Sequence, residues 1–100
     1  MKEQEKIELF MLHLDEEASI LELFRALSRQ CENESSEQIK QWIIERAMAQ
    51  ATAGSLGFYI DEFGARDVVE CDAEQAQALL AKEQVWSLAS DTMLHIYPIT

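Results

Sequence analysis

Cations are scarce in this chain relative to acids, and that scarcity bears on a large class of function. Eight Lys and Arg face 19 Asp and Glu, for a formal charge of -11 at pH 7. The excess is spread along the chain, with -5 in residues 1–50 and -6 in residues 51–100. Nucleic-acid backbones are bound mainly by Lys and Arg that displace counterions, so nucleic acid is an unlikely partner for so acidic a chain. Anionic membrane surfaces are disfavoured for the same reason. Two cysteines, Cys31 and Cys71, sit too far apart for a CxxC pair and have no adjacent His, which argues against a zinc site or a disulfide framework. Three glycines, Gly54, Gly57 and Gly64, form no phosphate-cradling pattern with a following Lys. No uninterrupted apolar run approaches the roughly 18 residues of a membrane-spanning helix. The first residues, MKEQEKIELFMLHLDEE, alternate charge with apolar side chains and lack the core and cleavage site of a signal peptide. The expectation is a cytoplasmic protein that uses no cofactor and no metal.

What the chain does hold is apolar content in periodic order. With 48% hydrophobic residues in 100 positions, a single α+β domain spanning residues 1–100 is expected. Ile7, Phe10, Met11 and Leu14 recur at helical spacing from Glu3 to Leu14. Asp15 is a candidate N-cap for a second helix whose inner face is Ile20, Leu23, Phe24 and Leu27, with Arg25 and Arg29 suiting its negative end. Ser35 and Gln38 spell a capping box ahead of Ile39, Trp42, Ile43 and Ala47, and Gly54 is a natural stop.

The period then changes to two. Leu56, Phe58 and Ile60 alternate with Gly57 and Tyr59, DEFGAR is turn-like, and DVVEC returns as the partner strand. Asp72 and Gln75 repeat the capping-box logic for a short helix with inner face Ala76, Leu79 and Leu80. Val85 and Trp86 are expected to close over the core, and TMLHIYPIT reads as a last strand at a sheet edge, with Pro98 near its end. The order is αααββαβ: three N-terminal helices packed on one face of a small, mainly antiparallel, three-stranded sheet.

No constellation names a chemistry. His13 borders the apolar face of the first helix and His95 alternates with Leu94 and Ile96, with no nucleophile or carboxylate partner in sequence, so neither has a catalytic signature. Asp61, Glu62 and Asp67 lack calcium-loop spacing. The chain is therefore expected not to be an enzyme. Three helices followed by a hairpin invite comparison with a winged helix, but the helix that would read DNA has only Lys40 and Arg46 against Glu37 and Glu45, and the wing is acidic. That DNA-binding regulator is the alternative reading.

The preferred one is a small acidic interaction or regulatory protein that binds a basic or partly apolar protein surface, with a homodimer as a candidate form. Tyr59, Val68 and Tyr97 fall on the strand face opposite their inward neighbours. With Asp61 and Glu62 beside them they would make an apolar patch with an acidic rim. Two further acidic groups, Asp15 to Glu17 and Glu32, Glu34 and Glu37, are candidates for the same electrostatic role, and equally fit ordinary helix-start acids.

Overall fold

The computed structural model describes residues 1–99, so Thr100, expected to close the last strand, lies outside the described residues. The elements run α1 (Glu3–Asp15), α2 (Ile20–Gln30), α3 (Ser36–Thr52), β1 (Leu56–Glu62), β2 (Val69–Cys71), α4 (Ala73–Leu80), a 3-10 turn (Glu83–Trp86) and β3 (Thr92–Pro98). This is the αααββαβ order expected from the periodicities. No described helix is long and apolar enough to cross a membrane.

Both capping boxes are present. In each, the side chain of Ser35 or Asp72 accepts from the N3 amide while Gln38 or Gln75 accepts from the cap's own N–H. Gly54 stops α3 with a left-handed φ of 80°, a conformation an L side chain resists. The α1–α2 boundary differs from the expectation. Asp15 is the last residue of α1, and the cap of α2 is the fully buried Ser19, whose hydroxyl accepts from the Glu22 amide. Between them Glu17 takes φ 53°, reversing the chain within the Glu16–Ser19 connector. Period alone cannot see such a turn, because three acids in a row suit a helix start as well as a helix end.

The sheet order is β2-β1-β3, antiparallel throughout, with Phe58 opposite Cys71 on one side and Ile96 on the other. The inner face presents Leu56, Phe58, Leu94 and Ile96 to the helices, and all four are buried. They join Phe10, Leu14, Ile20, Leu23, Leu27, Ile39, Ile43, Ala47, Ala76, Leu80, Val85 and Trp86 in one core. The stripe on α1 is rotated from the simplest reading: Met11 is exposed, while Lys6 is buried in line with Phe10 and Leu14. Its ammonium pairs with Glu34 at 2.7 Å and lies 5.8 Å from the Trp42 ring centroid, so the charge is neutralised where its stem packs.

The two edges of the sheet are treated differently. At β3 the α1–α2 connector acts as a short fourth strand: Ser19 bridges His95, and the Ile96 amide donates to the Ala18 carbonyl at 3.1 Å. The last strand is thus an edge that the chain itself covers in its middle. The open edge is β2. Because the Ile96 amide points away from β1, alternation turns the main chain of Phe58 toward β2 and that of Glu70 outward.

Candidate functional site

Among the described residues, the outer-face side chains Tyr59, His95 and Tyr97 are half-buried, unlike the fully buried inner face, and their neighbours follow from the register. Tyr59 has Glu70 opposite it on β2 and His95 opposite it on β3, and Gly57 faces Tyr97. Gly57 has no Cβ, and that vacancy is filled: a Cβ there would lie 2.4 Å from Cζ of Tyr97. Tyr97 therefore lies across β1 over Gly57, and its hydroxyl donates to Glu70 on the far strand at 3.3 Å. Tyr59 crosses the opposite way. Its ring stacks on His95 with centroids 4.7 Å apart and planes within 6°, and its hydroxyl donates to the Glu17 carbonyl at 3.4 Å. His95 Nδ1 is 2.8 Å from that same carbonyl. The two tyrosine rings are 6.0 Å apart.

This is an aromatic pavement laid flat on the sheet and hemmed by carboxylates. Burial, and then the charges of Glu17, Asp61 and Glu22, push the Tyr59 hydroxyl pKa up. Burial and Glu70 do the same for Tyr97. Both phenols stay protonated at neutral pH and act as donors, not as nucleophiles.

A second region lies at the far end of the β1–β2 hairpin. A tight turn, closed by the Ala65 amide donating to the Glu62 carbonyl, places Gly64 at φ 85° and projects Phe63, which is 88% exposed. The Phe63 amide donates to the Asp91 carbonyl at 2.8 Å, tying the turn to the loop ahead of β3. That loop carries Leu88, 71% exposed, and Phe63, Leu88 and Met93 line one shallow groove with Asp61, Glu62 and Asp91. Val68 and Val69 are also exposed nearby in the chain. One exposed apolar side chain is ordinary, but Phe63 and Leu88 lining the same groove are the informative observation.

Of the residues singled out from sequence, Tyr59 and Tyr97 are brought together on the outer face, half-buried. Asp61 and Glu62 end β1 and line the groove, and Val68 lies just before the paired residues of β2. Of the other two acidic groups, Glu34 is taken up by Lys6 and Glu37 lies near Lys40, whose ammonium also reaches Glu83. The sequence pattern does not single out Phe63, Leu88 or Glu70, and it presents His95 only as a strand residue without a catalytic partner. Phe63 carried a signal, an aromatic inside a turn of Asp, Glu and Gly, whereas Glu70 and His95 depend on a register that no local pattern supplies.

Of the eight cations, Arg25 and Arg29 lie one turn apart on α2 and are exposed, as are Lys2 and Lys82. Lys6 and Lys40 are engaged in ion pairs, and Arg46 is half-buried on α3, whose exposed positions include Glu37, Gln41 and Glu45. Arg66 stands in the hairpin loop between Glu62 and Asp67. No protein-family model matches the chain, and no match is found among curated proteins or solved structures.

Proposed function

We propose that the protein is a non-enzymatic interaction module that binds a basic, partly apolar surface of another protein through its hairpin end. The observation that carries this reading is the coincidence of exposed apolar anchors with acid. Phe63 and Leu88 stand in water, ringed by Asp61, Glu62 and Asp91 with Asp67 and Glu70 on the same hairpin. An aromatic anchor held by backbone bonds loses little entropy on docking, and its desolvation supplies affinity. The carboxylates supply steering and choice of partner. The same charge disfavours self-association, since two copies would bring like charges together, and it disfavours DNA.

The test is capture from lysate with tagged protein, after nuclease treatment, at low and high salt, for the wild type and for a Phe63→Ser, Leu88→Ser variant. A protein partner held at low salt, released at high salt and lost with the variant is the expected result. Identical capture by the variant, or recovery of DNA alone in an untreated control, would overturn it in favour of another surface or of the winged-helix alternative.

A further inference from the structure

The outer sheet face meets the hairpin groove at Asp61 and Met93, and beyond that border Tyr59, His95 and Tyr97 carry their own chemistry. The protein's lysines repeatedly seek aromatic faces: Lys6 sits over Trp42, and Lys40 sits 5.6 Å from the Phe24 centroid and 5.7 Å from that of Trp86. Among the described residues, the Tyr59, His95 and Tyr97 group has no such cation, although it has the carboxylates to attract one. Tyr97 has one ring face on Gly57 and the other turned away from the sheet, and its hydroxyl is held on Glu70 Oε1. A π-face that is desolvated on one side and flanked by carboxylates is where a cation gains most. The raised hydroxyl pKa values of both tyrosines report the same burial and negative field.

We propose that this face is a binding site for an arginine side chain presented by a basic partner segment, its guanidinium stacked on the Tyr97 ring beside Tyr59 and paired with the Glu70 carboxylate. Arginine fits better than lysine because a planar, weakly hydrated guanidinium stacks on a ring and offers a fork of donors to a carboxylate, while an ammonium is a compact, strongly hydrated charge. A second copy of the chain is a poor occupant, since its surface carries the same negative excess. The site extends the proposed interaction function but does not depend on the hairpin end.

The experiment is an NMR titration with N-acetyl-arginine amide at low salt, with the neutral isostere N-acetyl-citrulline amide as control. Saturable shifts confined to Tyr59, Glu70, His95 and Tyr97, seen with arginine and not with citrulline, are expected. Affinity should fall about tenfold in Tyr97→Leu and in Gly57→Ala, whose methyl group lifts the ring. Phe63→Ser should bind the probe as the wild type does, so failure of the hairpin reading and failure of this one are told apart. Equal shifts with citrulline, shifts scattered over remote acids such as Glu32 and Glu45, or no shifts at all would overturn the proposal.

Discussion

Trp42→Ala tests how α1 is held to α3. The Trp42 ring is half-buried and meets Phe10 edge-on at 6.1 Å and 77°, Lys6 lies over it, and its indole N–H donates to Glu3 at 2.9 Å. A fully buried large aromatic costs about 3–5 kcal/mol on truncation, but Trp42 keeps part of its surface in water. The edge-to-face contact contributes about 0.5–1.5 kcal/mol and the lysine about 0.5–1 kcal/mol, while the exposed bond to Glu3 adds little. The expected loss is about 2–3 kcal/mol. In a chain of this length that is a drop in Tm of roughly 10–20 °C. Urea unfolding followed by circular dichroism and by the remaining indole, the buried Trp86, measures it directly. A loss below about 0.5 kcal/mol would mean that Trp42 is only a surface residue, and one above about 4 kcal/mol that it belongs to the core proper. A double-mutant cycle with Lys6→Met should return a coupling of about 0.5–1 kcal/mol, and zero coupling would remove the cation–π contact from the account.

Ser35→Ala removes one half of the α3 capping box and should lower stability by about 1 kcal/mol in the same urea assay; an unchanged midpoint would refute the cap. Lys6 holds the Glu34 carboxyl below its usual range, so the pair's contribution is present above the ordinary carboxylate pKa and fades as pH falls through the depressed one. Glu34→Gln should thus cost about 1–3 kcal/mol near pH 7 and progressively less in acid; a penalty independent of pH would show that the charge is not what matters. Burial first, and then hydrogen bonding to Glu34, raises the Cys31 pKa, while burial and Asp72 raise that of Cys71. With Cys31 buried and Cys71 half-buried, iodoacetamide at pH 8 should label Cys71 first, and the reverse order by peptide mass mapping would contradict the burial assigned to Cys31.

Most of the fold was legible because its signals are local. A Ser or Asp three residues before Gln, Gly54 after an apolar stripe, and a switch from period 3.6 to period 2 each act within a turn or a strand. The α1–α2 boundary was misread at Asp15 because its determinant is remote: Ser19 is placed by its bridge to His95, on the last strand. The candidate site shows the same division. Tyr59 and Tyr97 were visible as outward residues of their strands, but their meeting rests on the 57-to-97 pairing, and Glu70 becomes a neighbour only through β2. Phe63 was hidden differently, since the pattern that identified a turn drew attention away from the one residue in it that does not suit a turn.

The connector that seals β3 has a consequence for how the molecule assembles. Glu17 and His95 are 78 positions apart, and the bond from the Ile96 amide to the Ala18 carbonyl spans the same distance, so the sheet edge closes only after the chain has brought its two extremities together. Contacts of such long sequence separation are slow to form, because the entropy of the loop must be overcome before they return anything. The same bond cannot open by fraying of one helix or one hairpin, as its donor and acceptor belong to opposite ends of the core. Hydrogen exchange at Ile96 should therefore follow global unfolding alone, which makes that single amide a clock for the whole domain.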